Sequence, residues 1–146
     1  MIHLAGSESF AVPPSELFVH LADAGFLARC LPEAAIASAT PDRAEWSVKP
    51  KIAFLAGSLE TIATVTERVP ASRVQYSLVT RGIGSGSTVE AGLSLRADGA
   101  GSMVDWSAKI SAVSGLLKLA PKGLLQTTAE KVIAEVWAAI RANLAD

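Results

Sequence analysis

Between residues 35 and 113 apolar and polar side chains alternate with a period of two, as in strands whose two faces meet different surroundings. In 45–54, Trp46, Val48, Ile52 and Phe54 alternate with Glu45, Ser47, Lys49 and Lys51. In 58–67, Leu59, Thr61, Ala63 and Val65 share one face, while Glu60, Thr64 and Thr66 share the other. The next strands set Val74, Tyr76 and Leu78 against Arg73 and Gln75, then Val89, Ala91, Leu93 and Leu95 against Glu90 and Ser94. A last one sets Val104, Trp106, Ala108, Ile110 and Ala112 against Asp105, Ser107, Lys109 and Ser111. Turn signals at Thr40-Pro41-Asp42, Val69-Pro70-Ala71, Gly82–Gly86 and Ala97-Asp98-Gly99 separate the strands. The pattern predicts an antiparallel meander with one dry and one wet face.

Different periods flank this meander. Residues 2–12 predict a first strand, with Leu4, Phe10 and Val12 opposite Ser7 and Ser9, and Pro13 and Pro14 stop it. Pro14 and Glu16 suit a first helical turn, and Leu17, Phe18 and Leu21 form the apolar stripe of a short helix. Asp23 is placed to cap a second short helix carrying Phe26, Leu27 and Cys30, which Pro32 ends. After Gly115 the period becomes helical, and Pro121 can open a helix to about Leu144. Its stripe is expected to be Leu125, Thr128, Ala129, Val132, Val136, Ala139 and Ile140, with Thr127, Glu130, Lys131, Glu135 and Arg141 opposite. The order predicts an α+β fold: a curved antiparallel sheet wrapped around a long C-terminal helix, as one domain over residues 1–146.

Many expected inner positions are small: Thr61, Ala63, Ala91, Ala108, Ala112, Thr128, Ala129 and Ala139. Interiors are close-packed, so helix and sheet must either approach closely there or enclose a cavity. A strongly curved sheet cannot follow a straight helix along its whole length, which favours the cavity. Trp46, Tyr76 and Trp106 are its candidate aromatic walls, and flat rings with polar edges suit a ring-shaped ligand; ordinary core packing is the alternative. With Phe54, Ala63, Ala91 and Ala108 from the sheet, and Leu117, Leu125, Thr128 and Val132 from the C-terminal segment, they make up the candidate ligand-binding set.

Charge and composition narrow the chemistry. Thirteen basic against 14 acidic residues give a net charge of -1, which disfavours a polyanion-binding surface and hence nucleic acid. The single cysteine excludes an intrachain disulfide and a cysteine-based zinc site. A reducing, cytoplasmic setting fits, with a peripheral place at the inner membrane left open. No secretory signal is expected from the first residues, and no stretch approaches the ~18 apolar residues of a spanning helix. The meander sends Glu45, Glu60, Glu90, Asp105 and Lys109 to the wet face, so the inner face lacks the convergent titratable groups of acid–base catalysis. His3 and His20 have no partner spacing for a metal, Cys30 fits a small buried hydrophobe, and Gly82–Gly86 lacks the Lys-Ser/Thr of a phosphate cradle. No catalytic residue, metal ligand or covalent cofactor is expected.

Several of these residues also resemble a family, the carbon monoxide dehydrogenase G-subunit (CoxG) proteins of the START-like helix-grip superfamily, which includes polyketide cyclases and lipid carriers. The resemblance runs through Phe10, Val12, Pro14, Glu16, Leu17, Phe18, Leu21 and Asp23 into Leu27, Cys30, Leu31 and Pro32. Cys30-Leu31-Pro32 matches the family's Cys-Ile/Leu-Pro-Gly motif, with Glu33 in place of Gly. Val48-Lys49, Phe54, Gly57, the Gly82, Gly84 and Gly86 series, Gly101, and Val113 with Gly115 follow in family order; Pro50 and Ala120 replace expected glycines. The resemblance implies a helix-grip fold with an internal apolar pocket. It also implies an accessory role, bringing a molybdenum hydroxylase of the carbon monoxide dehydrogenase type to the membrane with a quinone or similar lipid bound.

Three functions remain open on sequence: a noncatalytic carrier or adapter for an apolar ligand, a pure recruitment module with a vestigial pocket, and a cyclase or dehydratase acting on a hydrophobic small molecule. The segment 114–120, with Leu116, Leu117 and Leu119 beside Lys118, either meets a lipid surface or plugs the end of the core.

Overall fold

The computed structural model describes residues 2–31, 34–49, 58–82, 84–115 and 121–144. Among these, seven strands form one antiparallel sheet: β1 (Ile2–Phe10), β2 (Ala35–Ala39), β3 (Arg43–Val48), β4 (Leu59–Val69), β5 (Arg73–Gly82), β6 (Ser85–Asp98) and β7 (Gly101–Gly115). The helices are α1 (Pro14–Leu21), α2 (Ala24–Cys30) and α3 (Lys122–Leu144). Strand order is β1-β7-β6-β5-β4-β3-β2, so β1 closes onto β7 at one edge and α1 and α2 carry the chain to the other. The helix-grip arrangement expected from the sequence is the one observed.

Local chemistry accounts for the crossing. Pro13 is extended and Pro14 begins α1, whose Leu17 and Leu21, one turn apart, are fully buried. The Asp23 carboxylate accepts from the Phe26 amide at 3.1 Å, capping α2 as expected. The C-terminal carbonyls of α1 are met by side chains from the sheet: the Tyr76 hydroxyl donates to Leu21 O at 2.5 Å. Arg68 donates to Ala22 O from Nε (3.2 Å) and Nη2 (3.0 Å). Those groups would otherwise be orphans of the helix end, and a cation there also suits the helix dipole.

Cross-strand register lines up the inner face. One row runs Ala44, Ala63, Leu78, Val89, Ile110 and Ile2, and the next runs Val65, Tyr76, Ala91, Ala108 and Leu4. A third runs Trp46, Thr61, Thr80 and Ser87. A large core joins α1, α2 and the end of α3 to Trp46, Ala63, Val74, Tyr76 and Val104. A smaller cluster holds Ile2, Leu4 and Ala108, with Leu125, Ala129 and Ile133 of α3 against it.

Several expectations need correction. Ala112 is exposed, with φ of 51°, where the β6–β7 register shifts between Gly86 and Thr88; the extra residue of a bulge turns it off the inner face. On α3 the covered side holds the expected Leu125, Thr128, Ala129, Val136, Ala139 and Ile140 together with Ile133, Trp137 and Leu144, whereas the expected Val132 is 44% exposed. Ile133 and Trp137 pack where Val132 was expected, and the indole of Trp137 buries more apolar area than Val132 could. β3 ends at Val48, and the expected continuation through Ile52 and Phe54 lies outside the described residues, as do Pro32, Glu33 and 116–120. Among the described residues no helix is long and apolar enough to cross a membrane.

Candidate ligand-binding site

The two ends of α3 meet the sheet differently. At the C-terminal end Trp137 and Ile140 are buried, and the Phe10 and Trp137 rings lie 5.9 Å apart between centroids. Arg141 binds the Glu8 carboxylate at 2.8 Å and lies 4.4 Å over the Phe10 ring, fastening α3 to the β1 edge. At the N-terminal end no residue of α3 is fully buried, and the side chains facing the sheet are Leu125, Thr128 and Ala129. Large side chains at one end and small ones at the other leave a wedge of space, because a rigid helix cannot bend to close it.

That space is a cavity of about 150 Å³. Ile2 of β1, Ser87 and Val89 of β6, and Ile110 and Val113 of β7 form its floor, and the three α3 residues form its roof. Among the described residues that line it, only Ser87 and Thr128 offer side-chain polar atoms and none is ionisable. A cavity of this size holds one six-membered ring. A larger space, about 500 Å³, is an open groove at the β5–β6 hairpin end among Arg81, Gly84, Gly86, Thr88 and Ser114. By register Val79, Arg81 and Thr88 point away from α3 whereas Thr80 and Ser87, which also line the groove, point toward it, so the groove takes in both faces of the hairpin end and shares Ser87 with the smaller cavity. The tight approach there needs glycine: Gly82 has φ of 142°, and a Cβ on it would lie 2.6 Å from Ser58 O.

The expected site residues divide into groups. Leu125 and Thr128 border the cavity. Ala108 lies in the small cluster beside it. Trp46, Ala63 and Tyr76 are buried in the large core with α1 and α2, and Ala91 is half-buried against them. Trp106 touches both clusters; its indole covers Gly6, where a Cβ would stand 2.7 Å from Trp106 Cζ2, and its Nε1 is buried with no hydrogen-bond partner among the described residues. Val132 points to solvent, and Phe54 and Leu117 fall outside the described residues. The other lining residues lay outside the expected set: Val89, Ile110 and Ala129 were expected on the inner face but not in the site, and Ile2, Ser87 and Val113 in neither. Continuing the Val89 phase back through the glycine run would have found Ser87, but the bulge at Ala112 hides the phase of Val113.

Titratable groups are committed elsewhere. Burial pushes the Tyr76 phenol well above its ordinary pKa, against a smaller opposing effect of Arg68, and its hydroxyl is held by Leu21 O. Burial also raises the Cys30 thiol, which disfavours the reactive thiolate. On the outer face the Ser7 hydroxyl, at 2.7 Å, and the Arg96 guanidinium, at 3.1 Å, hold the Asp105 carboxyl below its usual range. His3 and His20 are exposed, the latter with its ring 4.9 Å from that of Phe26. Among the described residues no three His, Cys, Asp or Glu side chains are placed to share a metal.

Known structures reproduce this architecture. A conserved protein from Geobacillus kaustophilus superposes with a TM-score of 0.85 at 17% identity, over 99% of this chain and 95% of that one. A START superfamily protein from Mycobacterium smegmatis gives 0.71 at 11% identity, covering 97% and 95%. A protein from Chromobacterium violaceum gives 0.65 at 13% identity, covering 95% and 96%. At these identities the likeness establishes the fold alone. Comparison with curated protein sequences finds no match. The sequence profile of the carbon monoxide dehydrogenase G-subunit (CoxG) family matches residues 6–145, nearly the whole chain, and the protein belongs to that family.

Proposed function

We propose that this protein is a noncatalytic carrier or adapter that holds an apolar ligand, a quinone or related lipid, between α3 and the sheet. In this role it supports a molybdenum hydroxylase of the carbon monoxide dehydrogenase type at the cytoplasmic face of the membrane. The observation that carries the reading is the cavity under the N-terminal half of α3, apolar and free of ionisable lining groups. Such a site can bind and release a ligand, but it has no group with which to move a proton. Among the described residues of the inner face, Tyr76 is the one of the Tyr, Arg and carboxylate types a cyclase or dehydratase would use, and it spends its hydroxyl on Leu21 O. Membership of a family named for a dehydrogenase supports the partner, and the START superfamily relative supports a binding role. Organic extraction of the purified protein followed by mass spectrometry should release a quinone or lipid in near-stoichiometric amount. Pull-down from a lysate should recover a molybdenum hydroxylase. Extracts without any apolar compound, together with turnover of a hydrophobic substrate, would reject the carrier reading.

A further inference from the structure

The hairpin end of the sheet carries a second space, which the carrier reading does not use. Along one outer row Glu60 of β4 stands opposite Arg81 of β5, Arg81 opposite Gly86 of β6, and Gly86 opposite Ser114 of β7. Neighbouring strands lie about 4.8 Å apart, so Arg81 and Ser114 flank a gap of roughly 10 Å with no side chain between them. Thr88, two residues along β6, shares this outer face. Gly86 keeps the gap open: a Cβ on it would lie 3.1 Å from Ser114 Oγ and 3.4 Å from Thr80 O. These residues border the groove of about 500 Å³, a volume in the range of small-molecule sites.

The charge of this groove is out of balance. Each of the other strand arginines has its carboxylate: Arg43 has Glu45, Arg68 has Asp42, Arg73 has Glu67 and Arg96 has Asp105. Arg81 has no ion pair among the described residues, although Glu60 is its cross-strand neighbour. It is the one ionisable residue among those described along the groove, and the Thr88 and Ser114 hydroxyls have no hydrogen-bond partner among the described residues. We infer that the groove is an oxyanion site that takes a phosphate ester, with Arg81 as its charge partner, Thr88 and Ser114 as single donors, and Gly86 as the space that admits it. A carboxylate has two coplanar oxygens, which one guanidinium fork occupies, whereas a phosphate monoester has three acceptor oxygens aimed in different directions and close to two charges at neutral pH. The glycine run is not a phosphate-cradling loop, since no helix begins there; what it supplies is room. Groove and apolar cavity meet at Ser87 but differ in chemistry, and the phosphate site does not require an occupied cavity.

Isothermal titration calorimetry of the full chain at low ionic strength should show methyl phosphate binding with a dissociation constant on the order of 1–10 mM, as suits an exposed site with one arginine. Acetate should bind at least ~3-fold more weakly. Arg81→Gln should weaken methyl phosphate at least ~5-fold, and Gly86→Val, which keeps the charge but fills the space, should weaken it as much with an unchanged circular dichroism spectrum. Lys109→Gln removes a cation from the same outer face outside the groove and should stay within about 2-fold of the unaltered protein. Co-sedimentation with phosphatidylcholine vesicles, with and without phosphatidic acid, separates the two sources of the phosphate group. Retention on the phosphatidic acid vesicles alone, lost in Arg81→Gln, identifies a lipid headgroup; binding of methyl phosphate without retention identifies a soluble ester. Failure of both phosphate probes, acetate matching methyl phosphate, or Lys109→Gln weakening binding as much as Arg81→Gln would overturn the site and leave the apolar carrier standing. The comparison of Arg81→Gln with Lys109→Gln decides the matter even if Gly86→Val does not fold.

Discussion

Tyr76→Phe isolates the contact that ties the first crossing helix to the sheet. The phenol is 4% exposed and donates to Leu21 O at 2.5 Å, so the substitution keeps the ring and strands a buried carbonyl. A stranded buried acceptor costs about 1–3 kcal/mol. For a domain of this size that lowers the melting temperature by roughly 2–4 °C per kcal/mol. Alkaline pH gives an independent readout. Burial raises the phenol pKa in the folded state, so the neutral form is favoured there. The stabilisation is fully present below the unfolded value of about 10 and is lost as pH rises toward the folded value, because only the unfolded chain ionises in that window. The advantage of the unaltered protein over Tyr76→Phe should therefore shrink above pH ~10 by up to about 1.4 kcal/mol per pH unit. Since this is the only tyrosine, phenolate absorbance of the folded protein reads one group and should rise only as the protein unfolds. A phenol titrating near its ordinary value in the folded state, or parallel pH dependence for the two proteins, would refute the reasoning.

Gly6→Ala should destabilise the protein by about 1–3 kcal/mol in chemical denaturation, because the new methyl overlaps the Trp106 indole at 2.7 Å and the ring must move. Tryptophan emission should shift with it. Asp23→Ala removes the acceptor of the Phe26 amide and should cost about 1 kcal/mol, with Asp23→Asn losing much less; equal losses would show that the side-chain cap is not the cause.

The meander was legible because each strand has one dry face: Trp46, Thr61 and Ala63, Tyr76, Leu93 and Val104 all point inward as the alternation requires. The Asp23 cap was equally plain, since capping is local chemistry. What alternation cannot express is depth. Trp46 and Tyr76 lie in the right layer but under α1 and α2, whereas the open space lies toward the start of α3. Helical periodicity set Leu125, Ala129, Val136, Ala139 and Ile140 toward the sheet as found, but at the margin of the stripe it could not choose between Val132 and the neighbours Ile133 and Trp137, which pack inward while Val132 turns outward. The bulge at Ala112 is a change of register that no two-residue pattern contains. Ser87 shares the phase of Val89 and was missed because the strand was begun at Val89, two residues late.

The central claim is that the space beneath Leu125, Thr128 and Ala129 is where the ligand sits. Ala129→Phe tests it most directly, since a cavity of about 150 Å³ is one that a single aromatic ring fills. Ligand content per protein should be measured by extraction from the variant and the unaltered protein, prepared in parallel and matched for folding by circular dichroism. The account predicts a folded variant with little or no bound apolar ligand and no uptake of duroquinone. A folded variant that retains the ligand in full would contradict it and place the binding site elsewhere on the molecule.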